Sequence, residues 1–163
     1  MKNLKKAKLL MDKFLEIATV ISFLGLIGVI LLQVFARLAL PQAPAWTEEI
    51  ARVLFIYSTC FAMGLAVKES AYVSVDLLGK VLPHSFQLSV RVLIYITIVS
   101  FMGLITYYAI DFVKIGSFQT SPALHIRTFY FYMAILIAPL FIGIYYLFGL
   151  AQLISEHQYG GEL

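Results

Sequence analysis

The sequence predicts an all-α integral membrane protein with four transmembrane helices and an interfacial amphipathic helix between helices 2 and 3. Hydrophobic residues make up 61% of the 163 residues and charged residues only 13%, whereas soluble domains carry roughly 25% charged residues. Four apolar segments approach or exceed the ~20 residues that a helix needs to cross a bilayer. A fifth segment is too charged to cross but is amphipathic at helical spacing. We therefore expect a single membrane domain over residues 1–163.

The chain starts with a basic segment, residues 1–16, and the first span is predicted at 17–37. The lysines of the basic segment lie opposite its apolar residues on a helical wheel, which predicts an amphipathic lead-in on the membrane surface. A signal peptide is the alternative. The uncharged run from Ile17 to Ala36 exceeds the ~7–15 residues of a signal-peptide core, which favours a retained helix. At its end, Arg37 is expected to extend to the lipid headgroups, with pairing to an acid beyond it as the alternative.

The second span is predicted at 46–67, and its first turns are charged. Trp46 suits the aromatic belt at a membrane boundary. Glu48 and Glu49 precede Arg52 by four and three residues, so the three side chains can meet on one helical face. Both acids also suit the positive end of the helix dipole. An ion-paired helix start explains this pattern, and a contact site for a partner protein is the alternative.

Residues 68–82 are predicted to form a helix that lies in the membrane interface. Apolar residues recur on one face at spacings of three and four, and charged residues occupy the other face. Asp76 and Lys80 form an i,i+4 pair on the charged face. Pro83 is expected to end the helix. A solvated loop is the alternative for this segment.

The third and fourth spans are predicted at 91–110 and 128–154, joined by a turn-rich connection. Positive residues favour the cytoplasmic side of a membrane. A cytoplasmic N-terminus places eight of the 12 Lys and Arg residues on that side. The predicted topology therefore has both termini in the cytoplasm, with the charged start of the second span facing outward.

The sequence lacks the residue patterns that catalysis or cofactor binding requires. The predicted spans carry no Asp, Glu, Lys or His near their centres, where a proton relay or a charged-substrate pocket needs them. The single cysteine, Cys60, cannot form an internal disulfide and is expected to be a small packing residue. Histidines lie outside the spans, which disfavours a haem anchor. We expect no enzyme activity, no bound cofactor or metal, and no nucleic-acid partner; membrane lipids are expected partners.

Five short segments occur in the same order as in a known family of membrane proteins. They are Gln33-Val34-Phe35-Ala36-Arg37, Trp46-Thr47-Glu48-Glu49-Ile50-Ala51-Arg52, Val73-Ser74-Val75-Asp76-Leu77-Leu78, Leu82-Pro83 and Ser121-Pro122-Ala123-Leu124. Over essentially its whole length the chain thereby resembles the small permease subunit (DctQ-like) of tripartite ATP-independent periplasmic (TRAP) transporters. It departs from the family pattern at Tyr72, where members often carry a histidine, and at Arg127, near which they often carry a proline.

The resemblance implies a scaffold subunit in a bacterial inner membrane. In such transporters a periplasmic substrate-binding protein captures an organic acid, such as sialic acid or a dicarboxylate. A large permease subunit carries the substrate and sodium sites, so sodium is expected on that partner and not on this chain. The small subunit holds the fixed domain of the large one while the transport domain slides.

Candidate contacts with the large subunit or the binding protein follow from the motifs that carry the resemblance. They are Arg37, Trp46, Glu48, Glu49 and Arg52, with Asp76 and Lys80 on the interfacial helix. A free-standing, homo-oligomeric membrane carrier or channel is the alternative function. It requires a polar pathway, which the predicted spans do not show.

Overall fold

The computed structural model describes residues 2–40, 44–81 and 84–160, and the side chains of residues 6–40, 44–67 and 86–154. Four helices make up the described chain: α1 (Lys2–Ala39), α2 (Ala45–Val81), α3 (His84–Gly116) and α4 (Phe129–Gly160). Each contains a segment long and apolar enough to cross a membrane, namely Lys6–Ala39, Ala45–Val67, Phe86–Gly116 and Phe129–Ile154. The predicted all-α class with four transmembrane helices is confirmed.

Two helices extend well beyond the spans that hydropathy outlines. α1 begins in the basic lead-in and runs into the first span as one helix. α2 continues through residues 68–81, the segment predicted as an interfacial helix, so the loop alternative for these residues is wrong. The side chains of Asp76 and Lys80, and all of residues 82–83, lie outside the described part of the structure. The position of 68–81 relative to the membrane stays a prediction.

α2 and α4 form the centre of the bundle, and α1 and α3 flank them. The backbone of α1 packs on α2, and that of α3 packs mainly on α4. Between the central helices, Cys60 lies against Ala134 and Ala138 in a buried cluster. Small side chains let two membrane helices approach closely, which is where packing between them gains most. The prediction that Cys60 is a packing residue is confirmed.

α1 buries a narrow stripe and exposes most of its large apolar residues. The buried residues are separated by three, seven, four and ten positions: Asp12, Leu15, Ser22, Leu26 and Ala36. Phe35 and Leu38 are 68% and 84% exposed. Exposed large apolar side chains are expected where the surroundings are lipid or another membrane protein. Burial of Asp12 and Leu15 also shows that the predicted surface segment 1–16 enters the bundle.

Candidate functional site

A polar cluster joins the end of α1 to the start of α2. The Arg37 Nη2 atom donates a hydrogen bond to Glu48 Oε1 at 2.6 Å, and Gln33 Nε2 donates to the same oxygen at 3.3 Å. Both members of the ion pair are more than half exposed, and such pairs contribute about 0.2–1 kcal/mol in water. The pair therefore orients the two helix ends more than it stabilises the fold. Of the two expectations for Arg37, pairing with a following acid is confirmed.

Glu49 fastens the loop between α3 and α4, residues 117–128, to the start of α2. Its Oε2 atom accepts hydrogen bonds from the Ser121 hydroxyl and from the Leu124 N–H at 2.8 Å, and its Oε1 accepts from the Ala123 N–H at 3.1 Å. A carboxylate with several N–H and O–H donors forms strong, directional bonds. Glu49 thus links the start of α2 to the α3–α4 loop by accepting these hydrogen bonds.

The α3–α4 loop has its own internal hydrogen bonds and presents a defined shape to Glu49. The Thr128 N–H donates to the Gln119 carbonyl at 2.8 Å, and the Ser121 N–H donates to the Ile126 carbonyl at 2.8 Å. His125 adopts the left-handed conformation, with φ at 52°, which is uncommon outside glycine and reverses the chain direction. The loop is therefore held both within itself and against α2.

Arg52 is the member of the predicted cluster that the structure leaves available. It forms no hydrogen bond or ion pair with any residue in the described part of the chain, although it lies in the electrostatic field of Glu49. The three side chains that were expected to meet on one helical face instead take different partners: Glu48 pairs with Arg37, and Glu49 binds the α3–α4 loop. Arg52 is exposed and lines two neighbouring cavities.

The two cavities differ in how polar their walls are. The α2–loop cavity, about 310 Å³, combines apolar residues such as Ile56 and Phe131 with Glu49 and the hydroxyl-bearing Thr120 and Thr128. The α1–α2 groove, about 470 Å³, is more open and mostly apolar, with its polar residues at one end. Trp46 is 40% exposed at the same end of α2. Arg52 and Trp46 are thus the exposed candidates for which the described residues provide no hydrogen bond or ion pair.

A second polar link, between α1 and α4, was not predicted from the sequence. The Tyr145 hydroxyl donates a hydrogen bond to Asp12 Oδ1, and both residues are buried. Phe14 of α1 also packs against Phe61 and Phe141, with ring centroids 6.1 and 6.5 Å away. The signal was an acid within the basic lead-in, three residues before Leu15. The link attaches α1 to α4, in addition to the packing of α1 on α2.

Within the described residues, no group of three or more His, Cys, Asp or Glu side chains is placed to hold a metal ion. The polar residues named above instead join helices to one another or to the loop. These links hold the helices of the bundle together, and Arg52 is exposed at one end of it.

Comparisons with known proteins agree with the order of the motifs. Residues 26–156 match the family model described as tripartite ATP-independent periplasmic transporters, DctQ component. A protein of Haemophilus influenzae assigned as a TRAP transporter small permease is 27% identical over 135 residues, which cover 83% of this chain and 81% of that protein. The sialic acid TRAP transporter small permease protein SiaQ of Vibrio cholerae is 29% identical over 103 residues, covering 63% of this chain and 60% of SiaQ.

A third relative is much longer than this chain. The isethionate TRAP transporter permease protein DctMQ of Oleidesulfovibrio alaskensis is 29% identical over 104 residues, which cover 63% of this chain but only 16% of that protein. The family match spans well over half of the chain and includes the helix-joining cluster, Glu49 and the α3–α4 loop. The chain therefore belongs to the DctQ component family, the small permease proteins of TRAP transporters, and is a multi-pass membrane protein.

Proposed function

We propose that this chain is the non-catalytic scaffold subunit of a sodium-coupled TRAP transporter that imports an organic acid delivered by a periplasmic binding protein. The observation that carries this proposal is that the polar side chains of the described helices join helix to helix. Arg37 binds Glu48 across α1 and α2, Glu49 binds the α3–α4 loop, and Tyr145 binds Asp12 across α4 and α1. Such links suit a rigid support.

The proposed membrane partner is a large permease subunit that carries the substrate and sodium sites. The length of DctMQ supports this partner, because the segment matching this chain is a small part of one longer permease polypeptide. The exposed apolar sides of α1 and α3 offer surface for such a partner. Sialic acid and isethionate, named for two relatives, are both organic acids, which supports that substrate class.

The proposed site is the bacterial inner membrane with both termini in the cytoplasm, as the distribution of basic residues favours. This orientation places the α1–α2 cluster on the periplasmic side, where the binding protein delivers its substrate. Of the five candidate contact residues there, Arg37, Glu48 and Glu49 are engaged internally. Trp46 and Arg52 are then the members that face a partner.

Copurification and reconstitution test the proposal. The chain is coexpressed with a large TRAP permease subunit, and the purified complex is placed in liposomes with a periplasmic binding protein. We expect a stable one-to-one complex and uptake that requires the large subunit, the binding protein and a sodium gradient. Uptake by this chain alone, or the absence of a complex, overturns the proposal.

A further inference from the structure

The α1–α2 groove has an apolar floor between the two helices. Leu26 and Ile30 of α1 and Phe55 of α2 line this floor. Ala51, which also lines the groove, leaves room between the two helices because its side chain is a single methyl group. The volume of about 470 Å³ lies within the range of small-molecule sites, ~300–1,000 Å³. The groove is shaped to hold an alkyl chain alongside the helices.

The rim of the same groove carries charged residues. Arg52 and Glu48 lie at the polar end of the groove, with Arg37 bound to Glu48. Glu49, three residues before Arg52, interacts with Arg52 electrostatically, but its two carboxylate oxygens accept hydrogen bonds from the α3–α4 loop and it does not line this groove. The guanidinium group of Arg52 makes no ion pair or hydrogen bond with a described residue. The N–H donors of Arg52 are therefore left for an anion at this end of the groove.

The depth of the rim in the membrane indicates which class of anion meets Arg52. The rim lies in the first turns of α2, near Trp46, which marks a membrane boundary. At that depth an arginine meets phosphate groups, and its planar fork binds phosphate oxygens in pairs. A ligand with a phosphate at the boundary and an alkyl chain running into the bilayer matches both the rim and the floor.

We propose that the α1–α2 groove is a binding site for one anionic phospholipid, with its phosphate on Arg52 and an acyl chain along Leu26, Ile30 and Phe55. The lipid fills the groove between α1 and α2, and its phosphate accepts the hydrogen bonds that Arg52 does not make with the described residues. The inference goes beyond the scaffold function and does not depend on it, since it concerns a ligand of this chain alone.

Native mass spectrometry of the purified, delipidated chain tests the site. Short-chain phosphatidylglycerol is titrated against the protein in detergent, with short-chain phosphatidylcholine as the headgroup control. We expect one phosphatidylglycerol to bind in preference to phosphatidylcholine. Arg52→Gln removes a charge-assisted, hydrogen-bonded contact, and binding is expected to weaken by about tenfold, which corresponds to about 1.4 kcal/mol. Arg52→Lys, which keeps the charge and loses the fork, falls between the two.

Two further variants distinguish lipid binding in the groove from nonspecific electrostatic attraction to the protein. Ala51→Leu fills the groove with every charge retained and is expected to weaken binding as much as Arg52→Gln does. Arg127→Gln removes an exposed arginine of the α3–α4 loop that lines neither cavity, and binding is expected to be unchanged. Equal losses for Arg52→Gln and Arg127→Gln overturn the proposal, as does equal binding of the two lipids. Circular dichroism of each variant shows that it is folded.

Discussion

Tyr145→Phe removes the hydroxyl that joins α4 to Asp12 of α1 and leaves the aromatic ring in place. Interhelical hydrogen bonds in membrane proteins contribute about 0.6 kcal/mol on average and about 1.7 kcal/mol at most. Asp12 and Tyr145 are 9% and 5% exposed, so water cannot readily replace the lost partner. We therefore expect a loss near the upper end, about 1.5 kcal/mol. At ~2–4 °C per kcal/mol for a chain of this size, the midpoint of thermal unfolding falls by roughly 3–6 °C.

The assay is thermal unfolding of the purified protein in lipid nanodiscs, followed by tryptophan and tyrosine fluorescence. Tyr146→Phe is the matched control, because Tyr146 lies beside Tyr145 and its described contact is an edge-to-face packing of its ring on Tyr95. A double-mutant cycle with Asp12→Asn isolates the pairwise contribution. If Tyr145→Phe shifts the midpoint no more than Tyr146→Phe, or if the two changes are simply additive, the reasoning about the α1–α4 link is refuted.

Three further predictions concern the link between Glu49 and the α3–α4 loop, the packing at the end of α3 and the proposed contact residue. Glu49→Ala removes the acceptor of three loop hydrogen bonds, so limited proteolysis within the α3–α4 loop is expected to be several-fold faster, with Glu48→Ala matching wild type there. Gly116→Ala places a methyl group 2.6 Å from the Tyr132 ring and 3.0 Å from a backbone nitrogen. This overlap is expected to lower the free energy of unfolding by about 1–3 kcal/mol. The control is Gly103→Ala, whose methyl group meets nothing within 4 Å and is expected to leave the melting curve unchanged. Arg52→Glu is expected to abolish uptake in reconstituted liposomes, and wild-type complex yield together with wild-type uptake contradicts its assignment as a contact residue.

The spans were readable from the sequence because crossing a bilayer demands length and apolarity, and both are visible in one chain. The ends of the helices were less readable. Hydropathy falls where charges begin, as at Asp12 and Glu16, but a helix does not end there, because its backbone hydrogen bonds continue and its charged side chains find partners. For this reason α1 starts before the predicted boundary at residue 17.

Whether a contact of a site residue could be predicted depended on how far apart the two residues are in the sequence. Arg37 could be matched to an acid beyond it because the connection between α1 and α2 is short. The partners of Glu49 lie more than 70 residues away, in a loop whose fold depends on its own hydrogen bonds. Nor could the buried face of α1 be deduced, since that helix is apolar on nearly all sides and its buried stripe mixes leucines with small and polar residues.

The scaffold proposal rests on rigidity, and spin-label distances across the subunit measure rigidity directly. Cys60→Ala removes the single cysteine, which is buried. Labels at Gly28→Cys on α1 and Gly103→Cys on α3 occupy positions where an added side chain meets no atom within 4 Å. In the complete transporter, the proposal predicts the same α1–α3 distance distribution before and after addition of sodium and substrate-loaded binding protein. A shifted mean or a new population during transport contradicts the proposal that this subunit is a static brace.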